Sequence, residues 1–227
     1  LEDINKKVML DQKTIEVLPL FPSPLFTATY TKNDLAKTID FLDRSEMMGT
    51  MSQDYGYHSK DTYILEAKEC EPLKNFIIDS VNFFGKNIML YDYEEYSLSQ
   101  SWISIKDPGQ HHTMHTHPNS LISGVFYYGE DDPDMPAISF HKPVFATNVS
   151  YLSPKYQNDR RKSEYAWDVF SVNYSPGLLL IFPSHVFHSV PVNKSKMPRK
   201  SIAFNVMPKE KIGDTYNLTE LLFKKII

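Results

Sequence analysis

Four of the chain's eight histidines fall within seven residues, in the run Gly109-Gln-His-His-Thr-Met-His115-Thr-His117-Pro118. In an extended segment side chains alternate faces, so His115 and His117 are expected on the same side. Two imidazoles so placed are a ready pair of metal ligands. A third candidate, His188, follows the apolar run Leu178–Phe182 and the breaker Pro183-Ser184. A close pair and a distant third ligand, each beside a strand-like run, describe a metal held at the mouth of a β-barrel. His185 is the alternative third ligand, but its spacing to Arg199 is the less suitable. Arg199 lies eleven residues beyond His188 and is followed by Ser201. On a neighbouring antiparallel strand it would project into the same barrel interior, where an arginine needs an anionic partner. A ligand carboxylate gripped by the guanidinium, with help from a serine hydroxyl, would supply one.

These residues need strands to hold them, and the chain changes period where they begin. Upstream, Thr14–Phe21 reads as a strand that ends in the bend Phe21-Pro-Ser-Pro24. Thr31 to Asp34 resembles a capping box, and Leu35, Ile39 and Leu42 at helical spacing predict a helix over 32–44. The polar segment 45–62 reads as a loop. Leu73, Phe76, Ile77, Val81 and Phe84 form one apolar face of a second helix that starts near Pro72, meets Gly85, and could run on to Leu90. After residue 95 the period is two. Strands are expected at 96–105, 121–128, 137–141, 178–182, 188–192 and 200–207, with Ser175-Pro-Gly177 as a type II turn before the fourth. Trp102 reads as core. The acidic connection 129–136 and the long connection 144–173, with its basic cluster Lys155, Arg160, Arg161 and Lys162, are candidate binding loops.

Helices first and then many strands, with no βαβ rhythm, predict an α+β, mainly β architecture. It is a double-stranded β-helix (a jelly-roll, cupin-like barrel) with N-terminal helices packed on one face. One domain over 1–227 is expected: a helical support region 1–95, the barrel core 96–207 and a tail 208–227. The 227 residues suffice for a sizeable core. A net charge of −4 argues against a nucleic-acid partner. The single cysteine, Cys70, excludes an internal disulfide and suits a reducing compartment. No apolar run is long enough to cross a bilayer and no signal peptide is visible, so a cytoplasmic location is expected. The partner is expected to be a small molecule or a protein side chain.

Four patterns then appear in order: His115-Thr-His117-Pro118, Ser123-Gly-Val-Phe-Tyr-Tyr128, Pro176-Gly177-Leu-Leu-Leu-Ile-Phe-Pro183 and Arg199-Lys-Ser-Ile-Ala-Phe-Asn205. Together they resemble the 2-oxoglutarate- and Fe(II)-dependent oxygenase superfamily, and more narrowly a bacterial and phage branch of it. The resemblance covers about 100–205 well. It implies Fe(II) bound by His115, His117 and His188. It also implies 2-oxoglutarate chelating the iron and salt-bridged to Arg199, with Ser201 and Ser123 assisting. Gly109-Gln110-x-His112-x-x-His115 is similar to a prolyl hydroxylase run in which the position of His112 contacts the co-substrate, and Tyr127 shares a strand face with Ser123. The implied reaction is a hydroxylation coupled to decarboxylation of 2-oxoglutarate to succinate. The superfamily's usual facial triad contains one carboxylate; here His117 stands in its place, leaving the metal one negative charge short and opening the site to zinc or copper. Two other readings fit these residues. A three-histidine cupin-type dioxygenase would use neither 2-oxoglutarate nor Arg199, although the glutamate of the first cupin motif is missing. A non-catalytic structural or interaction protein on the same scaffold would hold zinc or nothing.

Overall fold

In the computed structural model, residues 8–10, 13–15, 18–19, 21–50, 52–142 and 163–223 are described. The strands in chain order are β1 (Val8–Leu10), β2 (Lys13–Ile15), β3 (Phe26–Thr29), β4 (Met47–Gly49), β5 (Tyr57–Ser59), β6 (Tyr96–Lys106), β7 (His112–His115) and β8 (Ile122–Tyr127). Then come β9 (Ile138–His141), β10 (Val169–Val172), β11 (Leu178–Pro183), β12 (His188–Val190), β13 (Arg199–Pro208), β14 (Lys211–Ile212) and β15 (Leu221–Leu222). Two helices, α1 (Ala36–Asp43) and α2 (Glu71–Phe83), precede the long strands. A seven-stranded sheet runs β3-β11-β8-β13-β6-β5-β4, and a four-stranded sheet runs β10-β9-β12-β7. All paired strands are antiparallel. This is the expected double-stranded β-helix.

Alternation along β8 and β13 explains how the large sheet serves two cores. Ile202, Phe204 and Val206 are fully buried on the outer face, together with Phe126 and Leu179, against Leu73, Ile77, Val81 and Phe84 of α2 and the turn that follows it. On the inner face Val125, Tyr127, Leu180 and Phe182 meet Ile138 and Phe140 of the small sheet. Arg199, Ser201 and Asn205 share that inner face by the two-residue period. Gly124 is required on the outer face, because a Cβ there would collide with the Phe204 ring and the Leu180 carbonyl. Each fully buried apolar side chain of α2 contributes about 1.5–3 kcal/mol. Ile77→Ala, at a fully buried position, is expected to lower unfolding free energy by about 2–5 kcal/mol. The urea denaturation midpoint measures it.

Several local expectations are corrected. Helix α1 begins at Ala36 with Leu35 at its N-cap and no side-chain cap; the Asp34 carboxylate instead accepts from the Tyr30 hydroxyl at 2.7 Å. The segment 45–62 is more than a loop. It supplies β4 and β5, which extend the large sheet beyond β6. These strands are three residues each and border the sheet edge, so they lack the apolar alternation of buried strands. Residues 169–172 of the long connection form β10 on the edge of the small sheet. The basic cluster at 155–162 lies outside the described residues. Helix α2 does run on, as a π-helical segment Phe84–Ile88, and stops where Leu90 takes a φ of 53°. Gly177, with φ 83°, and the Leu178 N–H donating to the Ser175 carbonyl at 3.1 Å complete the expected type II turn. Among the described residues no helix is long and apolar enough to cross a membrane.

Candidate functional site

The structure brings His115, His117 and His188 together, with one ring nitrogen of each within 4.8 Å of the others. His115 and His188 are direct cross-strand partners of β7 and β12. His117 lies two residues past the end of β7, so the strand alternation expected for the pair does not place it. A backbone contact does: the His117 N–H donates to the Ser184 carbonyl at 3.0 Å. The His117 and His188 rings then stack at 8° with centroids 5.1 Å apart and their Nε2 atoms 3.2 Å apart.

The tautomers follow from the partners. His115 Nδ1 lies 2.9 Å from the Thr113 carbonyl and His188 Nδ1 lies 3.0 Å from the Val186 carbonyl. A carbonyl only accepts, so each Nδ1 carries the proton and each Nε2 keeps its lone pair. Such a second contact fixes ring orientation and raises ligand basicity. Burial keeps the rings neutral: it pushes His188 down to about 3 and His117 down to about 4, the other histidines adding to it. Phe182, with its ring centroid 4.9 Å from that of His188, and Phe140 wall off His188 from the inner side. His185 is exposed and takes no part.

Arg199 is 2% exposed. Its Nη2 donates to the Tyr127 hydroxyl at 3.0 Å and its Nε to the Pro136 carbonyl at 3.2 Å. The guanidinium carbon lies 4.8 Å from the centre of the Tyr127 ring and 5.7 Å from that of Tyr174, a cation–π arrangement. No acidic side chain among the described residues pairs with it. The expected neighbouring strands are corrected: β12 belongs to the small sheet and β13 to the large one. The chain changes sheets between Val190 and Arg199, so the arginine comes from the wall opposite His188.

Ser201 is on the same face as Arg199, buried, with its hydroxyl donating to the Ser104 carbonyl at 3.3 Å, and it pairs in register with Tyr127. Ser123 is not brought to the arginine. It is four residues from Tyr127 along β8, about 13 Å at strand rise. Its hydroxyl donates to Asn205 Oδ1 at 2.9 Å and lies 2.8 Å from the Ser184 hydroxyl. That network anchors the Ser184 segment whose carbonyl holds His117. His112 stacks on His115 with centroids 4.2 Å apart. Burial first, and then His115 and Lys106, push it down to about 3. Its ring contacts His115 and shares a cleft with Lys106.

A cleft of about 290 Å³ opens beside these groups, lined among others by Tyr55, Trp102, Ser104, Lys106 and His112. Trp102, expected in the core, instead lines the cleft with its ring 6.0 Å from His117. Lys106 was missed in the motif reading. The signal for both was the two-residue period of β6, which puts 102, 104 and 106 on one face.

Residues 100–205 match the model of a family described as "Putative 2OG-Fe(II) oxygenase". Among solved structures, the chain is similar to a 2OG-Fe(II) oxygenase family oxidoreductase from Burkholderia pseudomallei, at 14% identity and TM-score 0.53, covering 77% of this chain and 78% of that one. It is also similar to SnoN, a non-heme alpha-ketoglutarate-dependent epimerase from nogalamycin biosynthesis, at 10% identity and TM-score 0.61, covering 83% and 80%. HygX from Streptomyces hygroscopicus, with nickel and 2-oxoglutarate bound, matches at 9% identity and TM-score 0.58, covering 82% and 84%. No protein of curated function matches the sequence. The expected resemblance of residues 100–205 to the 2-oxoglutarate- and Fe(II)-dependent oxygenases is borne out.

Proposed function

We propose that this chain, whose residues 100–205 carry the pattern of the 2-oxoglutarate- and Fe(II)-dependent oxygenases, is an oxygenase of that kind and acts as a hydroxylase. The observation that carries the reading is a pair of features facing each other across one barrel. Three imidazoles converge, with the Nδ1 contacts of His115 and His188 directing their Nε2 lone pairs to the site, and opposite them stands a buried arginine without an acidic partner among the described residues. The donor set fits a divalent first-row metal, since neutral imidazole suits iron, nickel, copper and zinc alike. Fe(II) with 2-oxoglutarate would supply dioxygen activation, with one oxygen atom passing to succinate as CO2 is lost and the other inserted into a C–H bond of the substrate.

The chain's own residues hold and orient. His115, His117 and His188 would hold the metal through Nε2, with the Thr113 and Val186 carbonyls keeping two rings in place. Arg199 would take the distal carboxylate of 2-oxoglutarate; Tyr127 aims it, Ser201 sits beside it, and His112 lines the space between. Phe140 and Phe182 keep water from the inner side of His188. The substrate, a small molecule or a protein side chain, would enter through the cleft beside Trp102. The buried free thiol of Cys70 suits a reducing compartment, and the cytoplasm is the proposed location.

Anaerobic addition of Fe(II) and then 2-oxoglutarate is expected to give a visible metal-to-ligand charge-transfer band. Aerobic incubation with substrate is expected to give succinate. Iron bound without a band would favour the three-histidine cupin-type reading, which leaves Arg199 unexplained. Tight zinc with no turnover would favour a non-catalytic scaffold.

A further inference from the structure

Lys106 ends β6 directly across from Arg199 in the β6–β13 register. Lys106 is 3% exposed and Arg199 2%. Side chains so paired have Cβ atoms about 4.5–5.5 Å apart, and like charges in that position repel. Their other contacts are all neutral. Lys106 Nζ donates to the Ser104 hydroxyl at 2.9 Å and the Ile105 carbonyl at 3.5 Å, and Arg199 donates to Pro136 and Tyr127. No carboxylate among the described residues reaches either cation. Burial, and then Arg199, pull the Lys106 amine down to about 8, which leaves it mostly protonated near neutral pH. Two buried cations without a counter-charge are costly to the fold on their own. Lys106 lines the cleft together with His112 and Ser104, so a ligand can reach it.

We propose that Lys106 is the second cation of the anion subsite, where it holds the distal carboxylate of the 2-oxoacid co-substrate jointly with Arg199. The proposal rests on the oxygenase reading above. It gives the repulsive pair a purpose: the bound carboxylate supplies the missing negative charge between them. It also makes Lys106 a residue that selects a dicarboxylate over a monocarboxylate 2-oxoacid.

The test uses the full chain loaded with Ni(II), which binds without turnover, and calorimetric titration with 2-oxoglutarate and with 2-oxovalerate. The second acid differs in carrying a methyl group where the distal carboxylate stands. The wild-type chain is expected to prefer 2-oxoglutarate strongly. Lys106→Met is expected to weaken 2-oxoglutarate by about 10- to 100-fold and to leave 2-oxovalerate unchanged, while Lys106→Arg stays within a few-fold of wild type. Unchanged 2-oxoglutarate affinity in Lys106→Met overturns the proposal, and is the result expected if the lysine serves a carboxylate of the substrate instead. A metal-loaded wild-type chain that binds neither acid overturns the oxygenase reading itself, before any variant is compared. Thermal melting of the metal-free protein gives an independent readout. Removing one of two repelling buried charges should raise the melting temperature of Lys106→Met above wild type. A lower melting temperature, or failure to fold, would mark a structural lysine and reject the proposal.

Discussion

His188→Ala is expected to leave the purified chain without stoichiometric metal. His188 opens β12, the strand that lies between β7 and β9 in the small sheet, and among the described residues it is the one candidate ligand from outside the 115–117 segment. Without it two imidazoles from one short stretch remain, and the converging site is lost. Losing a residue that merely orients a ligand costs about 10- to 100-fold in metal affinity, so losing the ligand itself should cost at least about 100-fold. Metal analysis after anaerobic reconstitution and dialysis measures this. His185→Ala, at an exposed position three residues away, should keep full metal content and controls for general damage to the turn. Full metal content in the His188 variant would remove His188 from the ligand set.

Arg199→Ala should separate co-substrate from metal. Truncating one member of a buried charge pair costs about 2–5 kcal/mol, so 2-oxoglutarate affinity should fall about 30-fold or more. His115 and His188 stand on the opposite sheet, with His117 just past the end of β7, and the three should retain metal. The charge-transfer band should disappear at co-substrate concentrations that saturate the wild-type chain. Arg199→Lys keeps a charge but loses the planar fork and the stacking on Tyr127, and should recover only part of the affinity. Undiminished 2-oxoglutarate binding in Arg199→Ala would reject the anchor.

Local periods were legible wherever a segment is buried on at least one face. The apolar face of α2, the runs at β8 and β11, and the alternation of β13 each carry their own pattern, because burial selects residue type at a fixed backbone period. The Ser175-Pro-Gly177 turn was legible for a similar reason: its φ/ψ demands are met by those residues. Strands β4, β5 and β10 were not. They are three or four residues long and lie at or next to a sheet edge. What makes them strands is a partner far away in sequence. Trp102 was misassigned because a large aromatic residue in a strand reads the same whether its inner face meets a core or a cleft.

The sequence by itself determined which chemistry the chain carries: a His-x-His pair, a later histidine, and an arginine and serine spaced to share one strand face. The histidines are legible from residue type, and the shared face of the arginine and serine from the two-residue alternation of a strand, both of which are local properties. The tertiary structure decided how the pieces meet. It brought His188 rather than His185 to the His115–His117 pair, placed His117 by a backbone hydrogen bond past the strand end, withdrew Ser123 to the Ser184–Asn205 network, and set Arg199 beside Lys106 on the wall facing the histidines. Each of these depends on which strands pair and on where the chain crosses from one sheet to the other. Strand pairing and barrel closure are long-range, and no window of sequence around a single residue contains them.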